Sequence, residues 1–572
     1  MFKRTIGRCG IKPFIVGALS FAVPFAVGQA PVASDADSRP KSTSEASTSG
    51  SEIEQLRRMI LDQQRQIDEL KRAMTDQKSS DTTAAAKPDT SVPPTTSRGV
   101  GQIASTVPIL PPLPAVTTLG TPLPVPQAAA PEAPSPLQIK IGEATITPVG
   151  FMDLTNTYRS TNAGTSLQTN FGSIPYNKGV TGRLSEDKLS AANSRIGFRV
   201  DAKFKGTNVM GYYEGDFVGG VGDTAYNTQV SSNSLLYRIR LYWVDVRRNK
   251  LEFLAGQSWS MLTPNRKQIS ALPGDLFYSQ VVDVNYMNGL TWGRIPGVRF
   301  LYHPTEKITF GVSLENSSQY FGGSGGGGTP TLPAALASPM APELDQNVIN
   351  GVKVPNVHPD IIAKIAFDPS AKVHFEVAGV ESTVKLFNPV SQQYFTKAGA
   401  GGSINANVEL FPGLRLVTNN FWSDGEGRYL FGVVPDFIVR ADGSPSLIHA
   451  GSTVSGFEYA HKNSQFYTYY GGIYAGRNTA LDANGTSKIG YGYQGSANSQ
   501  NKTTQEGTFG WTQTWWRDGK YGAFQTMFQY AYFFRNPWSV VPNQAGGRNA
   551  HESAVWFNIR YVLPGTAPTI KY

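Results

Sequence analysis

The sequence has a single cysteine among 572 residues, Cys9, which lies within the first ten positions. One thiol cannot form a disulfide framework or a cysteine metal site. Long apolar runs are also missing, because no stretch after the N-terminus approaches the roughly 20 apolar residues that a membrane-spanning helix needs. Histidine is scarce, with six residues scattered along the chain. Few candidates therefore exist for metal binding or for general base catalysis.

The first 30 residues have the pattern of a secretory signal peptide. Basic residues lie in the first twelve positions, an apolar stretch covers residues 14–27, and small residues suited to cleavage occur at Ala26, Gly28 and Ala30. We therefore expect export, with cleavage after Gly28 or after Ala30. Cys9 precedes the apolar stretch, so it would leave with the signal peptide, and the mature chain would carry no thiol.

Residues 31–50 are polar and are expected to be disordered, whereas residues 51–78 carry apolar side chains at heptad spacing. This spacing predicts a short coiled coil, and Ile and Leu in its seam favour two strands on propensity alone. A lone solvated helix is the alternative, because about three heptads are near the minimum for a coiled coil. The predicted seam consists of Ile53, Leu56, Ile60, Gln63, Ile67, Leu70 and Met74.

Residues 79–136 are rich in Pro, Ala and Thr and show no apolar periodicity, which predicts a linker. Its proline-dense part, residues 107–136, would extend by about 3.1 Å per residue in the polyproline II conformation. Such a spacer would hold the coiled coil some tens of ångströms from the domain that follows.

The clearest pattern lies in residues 194–217, where apolar and polar side chains alternate strictly. Ile196 and Phe198 alternate with Arg195 and Arg199, and the same split repeats after a turn. Hydrophobic residues make up 40% of the chain, yet the mean hydropathy is only -0.25, so apolar residues are interspersed with polar ones. Strands of about ten residues with this alternation, joined by alternately short and long connections, are typical of outer-membrane barrels.

The whole region 137–572 fits this pattern, and we predict an all-β, transmembrane antiparallel β-barrel of about sixteen strands. An even count makes short turns alternate with long loops such as 161–193, 261–285, 317–357, 423–452 and 476–506. Pro296 and Gly297 are interpreted as an interruption at the edge of one strand. The predicted strands are 146–158, 194–204, 207–217, 235–246, 251–260, 288–303, 308–316, 359–368, 372–382, 400–411, 414–422, 453–462, 465–475, 507–516, 521–533 and 552–563.

Several short motifs in this order resemble the DcaP-like outer-membrane porins. The motifs are found in residues 150–156, 194–198, 255–259, 359–364 and 425–429, after the predicted coiled coil and spacer. The resemblance covers most of the mature chain and implies a homotrimer of sixteen-stranded barrels that admits small, often negatively charged solutes. One departure is the end of the chain, where a tail of residues 564–572 with two prolines follows the last predicted strand.

Basic side chains on inward positions are the candidates for solute selection. From residue 137 onward the chain carries roughly seven more Lys and Arg than Asp and Glu, and low-dielectric walls would focus that charge on small anions. Glu214 and Asp216 lie on the intervening strand, so cross-strand ion pairs that brace the wall are an equally strong reading. The predicted pore-lining cations are Arg195, Arg199, Lys203, Arg238, Arg240 and Lys364.

The loop after the fifth predicted strand covers residues 261–285. Porins resemble one another in having a loop at this position that folds into the barrel. Arg266, Lys267, Asp275 and Asp283 are then candidate constriction residues, although an ordinary surface loop fits the sequence nearly as well. Aromatic residues at strand ends are expected to form interfacial girdles or a protomer contact. They include Tyr242, Trp243, Trp259, Trp422, Trp515, Trp516, Tyr532 and Trp556.

The sequence gives little support to catalysis. His374 and Glu376 are the only near pair on one face, and a polar lumen pair is the favoured interpretation, because no third ligand or nucleophile is placed. We expect no enzyme, no cofactor and no metal. The leading hypothesis is a porin for small hydrophilic, anionic solutes. A phosphate-selective porin, and an envelope tether or adhesin whose coiled coil binds the cell wall, are the alternatives.

Overall fold

The computed structural model describes residues 135–162, 167, 169–219, 236–270, 277–279, 286–316, 318–323, 327–344, 357–540 and 550–564. All of them belong to the second of two compact units, Thr95–Tyr572, and the first unit, Met1–Pro94, lies outside the described residues. The predicted signal peptide, the polar segment, the coiled coil with its seam, nearly all of the linker and the C-terminal tail from residue 565 onward therefore also lie outside them.

The described residues form an 18-stranded antiparallel sheet, of which 16 strands close on themselves as a barrel, and two separate two-stranded sheets. The strands in chain order are β1 (Ile139–Ile141), β2 (Ala144–Arg159), β3 (Glu186–Ser190), β4 (Arg195–Phe204), β5 (Thr207–Gly219), β6 (Leu236–Arg248), β7 (Leu251–Trp259), β8 (Arg294–Tyr302), β9 (Ile308–Glu315), β10 (Asp360–Ser370), β11 (Val373–Asn388), β12 (Gln393–Phe411), β13 (Leu414–Asp424), β14 (Phe437–Val439), β15 (Pro445–Leu447), β16 (His449–His461), β17 (Ser464–Ala475), β18 (Asn478–Leu481), β19 (Lys488–Tyr491), β20 (Asn501–Asp518), β21 (Gly522–Pro537) and β22 (Ala550–Val562). Within the described ranges, one α-helix, α1, covers Ala341–Leu344. No helix in the described part of the chain is long and apolar enough to cross a membrane.

Closure of the barrel depends on β2, which pairs with the last strand, β22, and with β4. The C-terminal half of β2 pairs with β22 from Phe151↔Val562 to Arg159↔Ala554. Its N-terminal half pairs with β4 from Ala144↔Ala202 to Phe151↔Arg195. Every barrel strand consequently has two hydrogen-bonded neighbours, which removes the open edges that a membrane does not tolerate.

The predicted barrel of sixteen strands is confirmed, with corrections to several strand boundaries. β11 ends at Asn388 rather than at 382, β12 begins at Gln393 rather than at 400, and β20 begins at Asn501 rather than at 507. The strand predicted at 288–303 begins only at Arg294, because residues 288–293 belong to a loop inside the barrel. Short turns alternate with long loops as expected, which defines a short-turn end and a long-loop end. At the short-turn end, Lys205 and Gly206 both have positive φ, the geometry of a type I′ hairpin turn that matches the twist of the strands.

Alternate side chains of each strand point to opposite faces of the barrel wall. On β4, Ile196 and Phe198 are exposed on the outside, whereas Arg195 and Arg199 are buried inside. The outer surface continues in this way with apolar residues such as Ile239, Phe300, Val312, Ile365 and Val377. A polar interior behind an apolar exterior is the arrangement of a transmembrane barrel and the reverse of a soluble one.

The predicted aromatic girdle needs a correction. Tyr242, Trp422, Trp515, Trp516 and Tyr532 are exposed on the outer surface. Trp243, Trp259 and Trp556 instead have inward parity and are buried in the lumen. Tyr242 and Trp243 face opposite ways because successive side chains of a regular strand alternate between faces. Trp515 and Trp516 are both exposed because the register between β20 and β21 shifts between Thr514 and Trp516.

Three long loops pack against one another at the long-loop end. Thr331, between β9 and β10, exchanges two backbone hydrogen bonds of 2.9 Å with Gly490 of β19. The Tyr320 hydroxyl donates to the Gly432 carbonyl at 2.6 Å, which links the β9–β10 loop to the loop that follows β13. These contacts give the barrel an ordered cap around this mouth.

Candidate functional site

The connection between β7 and β8, residues 260–293, is called the inward loop, because its described parts, residues 260–270, 277–279 and 286–293, fold into the barrel. Its apolar residues Met261, Leu262, Ile269 and Phe277 are almost completely buried although they lie on no strand. Phe277 packs edge-on against Tyr469 of β17, with 5.1 Å between the ring centres. Of the two possibilities left by the sequence, an inward fold or a surface loop, the structure has the first.

Carboxylates of the barrel wall hold the inward loop by accepting hydrogen bonds from its backbone. Such charge-assisted bonds are stronger than neutral ones, so the loop is fixed in one path across the lumen. Three acceptors come from the neighbouring strands β9, β10 and β11, and the fourth comes from β20. The bonds are Met261 N to Glu315 at 2.7 Å, Asn265 N to Glu376 at 3.0 Å, Gln268 N to Asp368 at 3.0 Å and Asn288 N to Glu506 at 2.9 Å.

Arg266 extends from the inward loop to a strand nearly opposite β7 in the barrel. Its two terminal nitrogens donate to the carboxylate of Glu458 on β16 at 2.6 and 2.8 Å, a bidentate pair, and its guanidinium lies 5.1 Å from the Tyr278 ring. The ion pair between Arg266 and Glu458 therefore crosses the lumen at the level of the inward loop. Lys267 beside it is exposed. The other two predicted constriction residues, Asp275 and Asp283, lie outside the described part of the chain.

Four of the predicted pore cations lie on β4 and β6 facing the lumen. Arg238 Nη2 is 2.6 Å from Asp216 Oδ2, while Arg240 reaches Glu214 and Asp216, each at 2.7 Å. Arg195 lies 4.0 Å from Glu214. The predicted acidic partners thus bridge the arginines of neighbouring strands. We call Arg195, Arg238 and Arg240, together with Glu214 and Asp216, the lumen ladder, and its selectivity for anions stays a prediction.

The inward parity of Arg240 depends on a β-bulge that the sequence did not reveal. Glu214 pairs with Leu241 while Gly215 pairs with Ile239, so one residue of β6 has no partner on β5. In chain order, Arg238 and Arg240 therefore point inward up to the bulge, and Leu241 and Trp243 point inward after it. A bulge of this kind re-aims a side chain without ending the strand.

The remaining two predicted cations have different surroundings. Lys203 shares the parity of Arg199 but lies at the short-turn end, where its side chain is exposed, so it lines no constriction. Lys364 on β10 is fully buried. Its Nζ is 2.9 Å from Glu376 and donates to the Thr263 carbonyl at 2.8 Å. Lys364 consequently supports the inward loop rather than facing open lumen.

His374 occupies the same supporting layer. Its Nδ1 lies 2.9 Å from Asp368 and its Nε2 lies 3.2 Å from Glu376, the two carboxylates that also receive backbone N–H groups of the inward loop. The pair His374 and Glu376 is therefore a buried structural bridge in the lumen wall. No cluster of metal-ligating side chains occurs within the described ranges.

Sequence reasoning missed a second set of inward arginines, beside the barrel seam. Arg560 of β22 is 2.7 Å from Asp153 of β2, and its guanidinium lies 3.9 Å from the Phe151 ring. Arg159 is 2.9 Å from Glu186. Strand parity alone would have placed these residues inside, but only ring closure brings the first and last strands together.

Replacing Lys364 with methionine should destabilise the folded barrel by about 3–5 kcal/mol, because it leaves a buried carboxylate, Glu376, without its cation. Urea unfolding followed by tryptophan fluorescence measures this. Lys267→Met is the matched control, since it removes an exposed lysine of the inward loop and should lower the free energy of unfolding by less than about 0.5 kcal/mol. Equal unfolding midpoints for the two variants would contradict a supporting role for Lys364.

A second cluster of charge lies at the long-loop end, after β13. Asp436 accepts backbone N–H bonds from Tyr320 and Arg428, each at 2.9 Å, and so joins two loops. Burial raises the pKa of Asp436 to about 7, with Arg428 opposing the shift. Burial likewise raises the pKa of Glu426, which the Asp436 charge reinforces. Arg428 also forms an ion pair with Asp360 at the start of β10.

These raised pKa values predict that docking of the 425–448 loop weakens as the pH rises. The docked loop binds a proton that the opened loop releases, so its stability is greatest below about pH 4 and falls until about pH 7. Amide exchange of this loop, corrected for intrinsic rates, should show opening on the order of ten- to a hundredfold easier at pH 8 than at pH 5. Asp436→Asn combined with Glu426→Gln should remove most of this difference, because burial raises the pKa of both carboxyl groups. No pH effect in the parent chain would refute the prediction.

No protein-family model matches the sequence, and no curated protein matches it. Solved structures do match the fold. The crystal structure of the outer membrane channel DcaP of Acinetobacter baumannii has a TM-score of 0.52 and 15% identity, covering 76% of this chain and 100% of that chain. An anion-selective porin from Comamonas acidovorans has a TM-score of 0.41 and 12% identity, covering 73% and 100%. The first likeness confirms the fold suggested by the sequence resemblance.

Proposed function

From a barrel with the fold of the DcaP channel, we propose that this protein is an outer-membrane porin for passive diffusion of small hydrophilic solutes. The observation that carries the proposal is the inward loop, which narrows a polar lumen inside an apolar outer wall. A wet lumen with a fixed constriction passes solutes by size and charge and needs no reaction chemistry. We therefore assign the chain a channel function and no enzymatic activity.

The proposed orientation follows from the connections between strands. Short turns face the periplasm and long loops the exterior in barrels of this type. The N-terminal segment enters the barrel through β1 and β2, whose first residues lie at the short-turn end. The predicted coiled coil would then lie in the periplasm, where it could contact the cell wall. We also propose homotrimeric assembly, which the mass of the detergent-solubilised complex by light scattering tests.

The charge arrangement supports a preference for small anions. Wall carboxylates on β9, β10, β11 and β20 are engaged by backbone N–H groups of the inward loop. The guanidinium groups of Arg195, Arg238 and Arg240 lie on β4 and β6. The side chains of Arg195 and Arg240 are fully buried, whereas Arg238 keeps 24% of its side chain exposed. A solute carboxylate or phosphate oxygen could therefore approach Arg238 directly, and the two buried arginines would act on it through their charge.

The experiment is a zero-current potential measurement. The full-length chain is refolded, inserted into a planar lipid bilayer and exposed to a KCl gradient. We expect stable channels with a potential of the sign that chloride permeability produces. Stable channels without ion preference would retain the porin and refute the anion preference. Absence of conductance would refute the porin itself and favour a barrel that only anchors the N-terminal segment.

A further inference from the structure

A basic pocket lies on the outer side of the barrel at the long-loop end, away from the lumen. It has a volume of about 350 Å³ and is lined by Lys397, Arg440, Arg477, His449 and Asp424, among others. The three permanent cations are all exposed. Asp424 is the single carboxylate in this lining, and its Oδ1 lies 3.3 Å from His449 Nδ1. The pocket therefore carries net positive charge.

Arg477 and Lys397 form no ion pair with a carboxylate in the contacts of the described residues. Arg440 lies near the exposed Asp442, whose pKa is lowered by a hydrogen bond from Ser444 and by the charge of Arg440. Arg477 stacks on the Trp538 ring, with 4.6 Å between guanidinium carbon and ring centre. Arg440 Nη2 donates to the Ser446 hydroxyl at 3.2 Å. Stacking and a neutral acceptor orient a guanidinium but leave its charge available, which suits recognition of a phosphate.

Directly below the pocket, a groove of about 710 Å³ continues down the outer wall across β13, β16, β17 and β20. His449 lines both spaces. The groove exists because Gly451 and Gly472 have no side chain, while the exposed rings of Trp422, Tyr470 and Tyr474 stand beside them. Aromatic walls at this height belong to the interface between lipid headgroups and acyl chains.

We propose that the pocket and groove together bind one phosphorylated lipid of the outer leaflet, with its phosphate on Arg440, Arg477 and Lys397 and an acyl chain along the groove. An amphiphile with an anionic head and an apolar tail matches this arrangement, because the basic pocket would receive the head and the adjoining groove would receive the tail. A two-fold contact with a second copy would bring the same basic face together twice and is disfavoured by repulsion between like charges. A three-fold contact joins different faces, and the oligomeric mass in the test below distinguishes it from lipid binding. The proposal rests on the outer-membrane location proposed above and is independent of what the pore conducts.

The test uses native mass spectrometry of the detergent-solubilised full chain, titrated with bisphosphorylated lipid A. Arg440→Gln with Arg477→Gln should weaken binding about tenfold or more, since two charge-assisted contacts are lost. Lys178→Gln with Arg183→Gln is the matched control, because these exposed cations lie on the β2–β3 loop at the same end of the barrel. This control should bind lipid A as the parent chain does.

Filling the groove provides a separate test of the acyl chain. Gly451→Leu should fold normally, because a Cβ there meets Trp422 Cδ1 at 3.5 Å, an ordinary contact. It should weaken lipid A binding, while single-channel conductance stays at the parent value for all these variants. Equal binding by the basic-pocket variant and its control overturns the proposal. Inorganic phosphate binding as tightly as lipid A, or a variant that changes the oligomeric mass, overturns it in favour of a free-anion site or a contact between copies.

Discussion

Replacing residues 263–290 with a short turn is expected to raise single-channel conductance several-fold. These residues make up most of the inward loop, and the buried side chains of Ile269, Phe277 and Met287 occupy space inside the barrel. Conductance depends on the narrowest cross-section, so removal of an inward segment should have a larger effect than any point substitution in the wall. Single-channel recordings in a planar bilayer measure the change directly.

The loop deletion needs a control that shortens the chain elsewhere. Residues 483–487, at the exposed tip between β18 and β19, can be replaced by Gly-Gly without touching the lumen. This second variant should conduct as the parent chain does. If both shortened chains had the parent conductance, the narrowest part of the pore would lie outside the inward loop.

Removing positive charges from the lumen ladder in one variant, and negative charges in another, should shift the ion preference of the channel in opposite directions. Arg238→Gln with Arg240→Gln removes both arginines from Asp216 and leaves Glu214 with Arg195 alone, at 4.0 Å, so it should move the channel toward potassium. Glu214→Gln with Asp216→Asn releases the arginines and should move it toward chloride. We expect the chloride-to-potassium permeability ratio to change about three- to tenfold in each case, because lumen charges act in a focused field.

The control for the ladder is Lys203→Gln with Lys205→Gln, which removes the same amount of positive charge from exposed positions at the short-turn end. Its permeability ratio should stay close to that of the parent chain. Raising the salt concentration should reduce all of these differences, because the Debye length shortens. Parent-like ratios for both ladder variants would show that the ion pairs only brace the wall.

Strand parity explains why so much of the barrel was predictable from the sequence. The alternation of Arg195, Ile196, Arg199 and Phe198 assigns each side chain to lumen or lipid without any knowledge of its neighbours, since successive residues of a strand face opposite ways. Short turns such as Lys205-Gly206 fix which strands pair first. Both signals are local, so the strand number and the faces followed from the sequence.

Local signals failed where one residue is inserted or where aromatic residues are adjacent. The bulge at Arg240 reverses parity within β6, and no residue type in the sequence marks it. Parity placed the ladder cations inside, but their partners were decided by register between β5 and β6. Trp243 and Trp259 were assigned to a girdle because aromatic residues at strand ends are typical of one, yet their parity places them in the lumen.

The sequence by itself determined the class of molecule: an alternating pattern over sixteen segments is stable only as a closed barrel with a polar inside and an apolar outside. Only the tertiary structure decided where the inward loop lies and which charges remain available in the lumen. Arg266 meets Glu458 across 192 positions of sequence, and Asn288 meets Glu506 across 218. Such contacts depend on closure of the ring, which brings together strands that carry no information about each other in the local sequence.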